Sequence, residues 1–193
     1  LDLCRDTLKM IKENNQEKSM RSFYILWVGQ FLSIFASRMT WFAITLWAWE
    51  LTGTATALVL VGVAYSLPAA IFSPFAGALI DRWNRKLIIM LSDFSAALST
   101  FILLILFATD SIEIWHLYLA GAFTGIFGSF QYPAYASVIT TMVPKEQYSR
   151  ANSLRSIIDS ASGIGAPLLA GVLITFLEIS GIMVIDLITF FIA

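Results

Sequence analysis

The sequence predicts an all-α membrane protein, and three observations carry that expectation. Of the 193 residues, 58% are hydrophobic and only 13% are charged, against roughly 45–50% and ~25% in a soluble domain. The apolar residues gather into runs of membrane-crossing length, since about 20 are needed to traverse the hydrocarbon core as a helix. The basic residues fall on alternate connections between those runs, the charge asymmetry of a multi-pass protein.

Residues 1–20 are polar and charged, with no apolar stretch of the signal-peptide kind. They are read as a cytoplasmic N-terminal segment. The chain opens on Leu1 and stops at Ala193 inside an apolar run, so it is expected to be a piece of a longer protein, with Met20 a plausible true start. A transmembrane domain is expected over 21–193. Its spans fall at about 23–49, 57–80, 87–108, 114–141 and 154–177, and a sixth, 182–193, is truncated. The first and fourth are longer than a straight crossing needs, which predicts tilt or projection past the bilayer. The connections at Thr52-Gly53-Thr54, 81–86, Thr109-Asp110-Ser111, Pro144-Lys145-Glu146 and Ser180-Gly181 are short, making successive helices antiparallel neighbours.

Arg5, Lys9, Lys12, Lys18 and Arg21 precede the first span. Arg82, Arg85 and Lys86 lie between the second and third, and Lys145, Arg150 and Arg155 lie near the junction of the fourth and fifth. The other connections hold no lysine or arginine, only Glu50, Asp110, Glu113 and Glu178. Lysine and arginine mark the cytoplasmic side, so the N-terminus and the 81–86 loop are expected there, in a multi-pass plasma (inner) membrane protein. Trp47, Trp49 and Trp115 then fall at the opposite interface, where indole rings favour the headgroup level.

Charge inside a span is costly and calls for a reason. Arg38 lies near mid-depth of the first span. It either meets an anionic group of a substrate or pairs with a carboxylate that locks two helices, and the sequence leaves both open. Gln30, Ser33, Ser37 and Trp41 recur at three- and four-residue spacing on one side of the same helix, as a polar cavity wall or as helix–helix glue. Asp159 is the acid best placed to exchange a proton and, by depth, the first partner for Arg38. Asp93 is assigned to the charge cluster around Asp81, and Asp186 is expected to reach the interface. Small residues recur at every fourth position at Ala69/Ser73/Gly77, Gly121/Gly125/Ser129 and Gly163/Pro167/Gly171, the last flanked by Ser162, Ala166 and Ala170; such stripes let helix backbones approach closely.

Several function classes are excluded. A net charge of −1 gives no electrostatic footprint for nucleic acid. A single cysteine, Cys4, and a single histidine, His116, provide neither an internal disulfide nor a His/Cys metal cluster. Phosphate-binding and hydrolase signatures are missing. No cofactor, no metal and no enzymatic activity are expected.

The run Gly77-Ala-Leu-Ile-Asp81-Arg82-Trp83-Asn84-Arg85-Lys86 resembles the loop motif between the second and third helices of major facilitator superfamily transporters, Gly-x-x-x-Asp-(Arg/Lys)-x-Gly-(Arg/Lys)-(Arg/Lys). Asn84 replaces the usual glycine, and asparagine is expected to keep a left-handed turn there. Ser162-Gly163-Ile-Gly-Ala166-Pro167-Leu-Leu-Ala170-Gly171 resembles the family's antiporter motif, with serine and alanine at three glycine positions. Trp27-Val-Gly29-Gln30, Trp47-Ala-Trp49-Glu50 and Tyr132-Pro133-Ala134 are similar to the macrolide-efflux and enterobactin-exporter branch. Many drug–proton antiporters carry an arginine where this chain has Gly121, which leaves coupling through that residue without its side chain.

The resemblance implies a six-helix N-terminal bundle of a twelve-helix fold, its sixth helix truncated and its C-terminal half missing. It implies a secondary active transporter that exports a small amphipathic solute, such as a drug or siderophore, by alternating access coupled to a proton or other ion. Asp81 would act as a latch toward the second half. Uptake by symport in the same fold is the alternative; the membrane domain of an ATP-driven exporter would need longer cytoplasmic helix extensions than these loops supply. A lone half should also leave the Ala69/Ser73/Gly77 and Ser162/Ala166/Ala170 faces exposed.

Cysteines introduced at Asn84 and Gln147 in a Cys4→Ser background are expected to react only with reagent on the cytoplasmic side, and one at Thr52 only from outside. Labelling of Asn84 from outside intact cells would overturn this topology.

Overall fold

The computed structural model describes residues 20–80 and 83–192. Five long helices follow one another: α1 (Met20–Thr52), α2 (Ala55–Ile80), α3 (Arg85–Ala108), α4 (Ile114–Met142) and α5 (Tyr148–Ile192), with a single 3-10 turn, Lys145–Gln147, leading into α5. The described residues contain no strand. Among them four segments are long and apolar enough to cross a membrane: Phe23–Thr52, Ala55–Gly77, Arg85–Ala108 and Lys145–Ile192. The fourth expected span does form a helix, but its glycines, His116, Thr124 and Gln131 dilute its apolar character.

α5 is not one straight rod. Glu178 interrupts it with φ 56° and ψ −179°, a backbone conformation costly for any residue but glycine. A straight helix would hold Asp159 and Asp186 about 40 Å apart, yet the two meet the neighbouring residues Arg38 and Ser37 of α1. The limbs 148–177 and 179–192 therefore run antiparallel. The sequence placed this reversal at Ser180-Gly181. It occurs at Glu178 because the chain from Ile179 is already core: Ile179, Ile182 and Met183 are buried.

The other turns have local causes. Gly53 takes a left-handed φ of 61°, and its N–H donates to the Trp49 carbonyl at 2.7 Å, closing the end of α1. Asn84 departs from expectation. Its φ is −68° and ψ 114°, extended rather than left-handed, and its side-chain oxygen accepts from the Lys86 N–H at 3.1 Å. It serves as an N-cap for α3, satisfying a donor the helix cannot pair internally. His116 does the analogous work at α4, its Nδ1 accepting from the Glu113 N–H at 3.0 Å.

α1 packs chiefly on α5 and α2 on α4, while α3 lies along both α4 and α5. Two apolar cores result. One, toward the end bearing Glu50, Asp110 and Glu178, gathers Ala43, Ile44, Ala48, Leu117, Ile182 and Met183. The other, toward the end bearing Arg85, Lys145 and Arg150, gathers Phe23, Ile88, Ile89, Tyr135 and Ala151. We refer to these as the acidic and basic ends. Trp47, Trp49 and Trp115 all lie toward the acidic end; Trp47 packs edge-on against Phe107, and Trp115 donates to Glu113 at 2.8 Å.

The small-residue stripes divide in their use. Ser73 and Gly77 are exposed, as expected of an unpartnered face. Ser162, Ala166 and Ala170 are not: each is fully buried, because α1 rides on that face with Met39, Ala43 and Ile44 and lays Phe35 over Gly165. The outward face of this limb is instead Ile164, Leu168, Gly171 and Val172. On α4 the stripe brings backbones together: a Cβ at Gly125 would overlap the Tyr65 carbonyl, and one at Gly121 would stand 3.4 Å from the Tyr65 nitrogen.

Gly125→Ala is therefore expected to destabilise the fold by about 1–3 kcal/mol, since α2 must shift to admit the methyl group. Gly171→Ala, where a Cβ meets nothing within 4 Å, is expected to be silent. Thermal unfolding of the detergent-solubilised variants checks the contrast, and equal stabilities would contradict the close approach.

Candidate functional site

Between the two apolar cores lies a polar layer, and within it a cavity of about 400 Å³, inside the range of small-molecule sites. The stripe read from α1 supplies one wall: Ser33, Ser37, Arg38 and Trp41 all line it. Gln30 does not. It is buried and its amide donates to Asp93 Oδ2 at 2.6 Å. The opposite wall comes from α2 and α4 through Gly62, Tyr65, Thr124, Gly128 and Gln131. Trp41 and Tyr65 face one another with ring centroids 6.2 Å apart, so aromatic surface is available from both sides.

Arg38 and Asp159 come together. Arg38 donates to the Asp159 backbone carbonyl at 2.7 Å and to its Oδ1 at 3.3 Å. Arg155, one helical turn before Asp159, approaches Oδ2 with its Nε at 3.4 Å. Two guanidinium groups thus share one carboxylate. Arg155 is the more enclosed of the two, its guanidinium 4.6 Å from the Tyr135 ring centroid and 5.3 Å from that of Tyr132. The rings' negative faces help hold a cation that the carboxylate only half compensates. Gly163 is small for a reason visible here: Arg38 Nη1 lies 3.4 Å from where a Cβ would stand.

Asp93 departs from expectation: among the described residues it meets no charge of the loop but faces the cavity, with Gln131 donating to Oδ1 at 2.7 Å opposite the Gln30 contact on Oδ2. Two neutral amides satisfy both oxygens, which keeps the carboxylate hydrogen-bonded without a cation. Asp186 departs as well: it is 3% exposed rather than at an interface, and takes hydrogen bonds from Ser37 and Thr100 at 2.8 Å each. Gln131 was not singled out, although an amide in the middle of an apolar run is the signal that points to it. The part of Arg155 was not, because proximity to a basic loop hid a residue that turns inward.

Of the loop motif, Asp81 and Arg82 lie outside the described residues. Gly77 is exposed at the end of α2, Arg85 reaches the Ser137 carbonyl at 3.5 Å, and Lys86 is exposed. In the antiporter-like run, Pro167 is accommodated within the helix and half-buried, next to the exposed Gly163 and Gly171. No group of three metal-ligating side chains occurs among the described residues.

The family model for the Major Facilitator Superfamily matches residues 26–193, and the chain belongs to that family. It is accordingly a transporter-family, multi-pass membrane protein. Among curated proteins it is 30% identical to macrolide efflux protein A of Streptococcus pyogenes over 164 residues, 85% of this chain and 40% of that protein. It is 30% identical to the uncharacterized MFS-type transporter YfiS of Bacillus subtilis over 86% of this chain and 37% of that protein. It is 28% identical to the multidrug resistance protein MdtG of Salmonella typhi over 89% of this chain and 44% of that protein. The chain thus spans about two fifths of the length of these relatives. No solved structure gives a significant match.

The shared carboxylate makes a ranked prediction. Asp159→Asn leaves Arg38 and Arg155 facing each other without a counter-charge, whereas Arg38→Met leaves Asp159 paired with Arg155. The first variant is expected to melt at the lower temperature in detergent, since stranding like charges is worse than dissolving one of two pairs. The reverse order would show that the cations do not depend on this acid.

Proposed function

We propose that this chain forms the N-terminal half of an exporter that moves a small amphipathic solute, such as a drug or siderophore, outward across the plasma (inner) membrane. The observation that carries the proposal is the cavity between two apolar cores, with Trp41 and Tyr65 as its aromatic walls and Arg38, Asp159, Asp93 and Gln131 as its polar groups. Aromatic surface suits the apolar body of such a solute, and a few placed polar groups fix its orientation. The named efflux relatives support the outward direction. Six spans per half, the sixth from the limb 179–192, and an N-terminus in the cytoplasm complete the reading.

Transport would proceed by alternating access, two halves rocking about a site near mid-membrane. The second half is the partner, and the Asp81 loop is the latch that steadies one of the two states. Ion coupling would run through acids of the polar layer, with Asp159 the first candidate and Gln30, Ser33, Ser37 and Trp41 as the surrounding stripe.

Gly62 offers a clean test. It lines the cavity, and a Cβ there meets no atom within 4 Å, so Gly62→Leu starts its side chain in open space beside the cavity. In cells expressing the full-length transporter, this variant is expected to insert normally and to lose most efflux of an amphipathic dye that the wild type exports. Unchanged efflux at equal surface expression would remove the cavity from the transport path.

A further inference from the structure

Two cations and two acids line the cavity, and they are not distributed evenly. Arg38, Arg155 and Asp159 form one set, in which a single carboxylate answers two guanidinium groups. A guanidinium stays charged whatever its surroundings, so this set carries an excess positive charge. Its donors are not all spent: Arg155 Nη1 is enclosed and makes no hydrogen bond, and the Arg38 side chain is 39% exposed. Asp93 stands apart from the set. Among the described residues it forms no ion pair, and both its oxygens accept from amides, Gln30 on Oδ2 and Gln131 on Oδ1. That is the pattern of an ionised carboxylate, which is an acceptor only and keeps lone pairs beyond the two in use.

The cavity is therefore neutral in sum but polarised, with an excess positive charge at one place and an excess negative charge at another. Excess charge partway along membrane-length helices is costly, and a solute that brings the opposite charge removes that cost. A singly charged solute answers one centre and leaves the cavity charged. A solute with one charge of each sign answers both. The α1 residues that serve the two centres, Gln30 and Arg38, stand eight positions apart, about 12 Å of helical rise. An α-amino acid, with both charges beside one carbon, is too short for that spacing. The charges belong at opposite ends of a larger body, and the aromatic wall supplies a surface for it: Tyr65 extends to Gly128, one turn before Gln131, and Trp41 lies one turn beyond Arg38.

We propose that the solute is a zwitterion with its charges at opposite ends of an aromatic body, its carboxylate meeting Arg38 and its protonated amine meeting Asp93. This names the solute class of the exporter reading given above and rests on it. The carboxylate takes guanidinium donors that Asp159 leaves over, and charge-assisted bonds of this kind are among the strong ones. Singly charged analogues are rejected by the centre they leave unanswered.

The test uses the full-length transporter purified in detergent and three fluorescent quinolones that share one aromatic body. Ciprofloxacin has a carboxylate at one end and a piperazine ammonium at the other. Its methyl ester is a cation, and its N-acetyl derivative is an anion. Anisotropy titration is expected to show the zwitterion binding about tenfold more tightly than either analogue, a difference of ~1.4 kcal/mol. Asp93→Asn should weaken ciprofloxacin and the ester and spare the N-acetyl derivative. Arg38→Gln should weaken ciprofloxacin and the N-acetyl derivative and spare the ester; it leaves Asp159 paired with Arg155, so it carries the test if Asp93→Asn fails to fold. A merely structural role for either residue would weaken all three probes alike. The proposal is overturned by that result, by wild type binding either analogue as tightly as the zwitterion, or by no binding of any of the three. Zwitterion-selective binding without efflux of ciprofloxacin from cells would keep the site and remove the exporter reading. Efflux that Gly62→Leu blocks but that ignores solute charge would keep the exporter and remove the zwitterion.

Discussion

The bundle is organised around the cost of holding charge partway along membrane-length helices. Arg38, Arg155 and Asp159 stand together in the polar layer, and no member of the set is tolerable alone at that depth. Asp159 can serve two cations only because α1 and the first limb of α5 lie backbone to backbone, and they do so because Ser162, Ala166 and Ala170 have nothing larger than a methyl or hydroxyl on the shared face. Small side chains on one helix thus set the distance at which charges on another can be compensated.

The same constraint divides the bundle in depth. Apolar side chains fill the acidic end and the basic end, and the polar residues are confined between them. The layer is hydrogen-bonded in a specific way: Asp93 takes amides, Asp186 takes hydroxyls, and Asp159 takes guanidinium groups. Three acids of the polar layer therefore have three different chemistries, each fixed by which helices meet around them. The first and third line the cavity, while the second lies behind Ser37.

Much of this was legible in the sequence. Apolar run length located the helices, and depth alone paired Arg38 with Asp159, because a costly charge admits few partners. Rotation about each helix axis was not legible, and the misplaced side chains of Asp93, Asp186 and the Ser162 face trace to it. Asp93 and Asp186 were assigned to loop and interface by their distance along the chain, although a residue near a helix end still points inward if its face does. Ser162, Ala166 and Ala170 were given to a missing partner because small-residue stripes do not say which neighbour they serve. Asn84 was given a glycine's conformation by motif position, although its side chain had a better use as a cap. The reversal at Glu178 escaped for the opposite reason, since the turn-forming residues Ser180 and Gly181 follow it and drew the boundary two residues late.

The contact between Tyr65 and the α4 glycines has a mechanical consequence. At Gly121 and Gly125 the α4 backbone lies against the Tyr65 backbone, so α2 and α4 pack as one close-set stave. α1 and the first limb of α5, joined along their alanine face, make a second. The two staves touch each other sparsely, and the cavity is the gap between them, with Gly62, Tyr65 and Gln131 on one bank and Ser37, Arg38 and Asp159 on the other. α3 spans both along one side like the spine of a book. The lumen of this half-bundle is thus a seam between two staves, crossed on one side by α3.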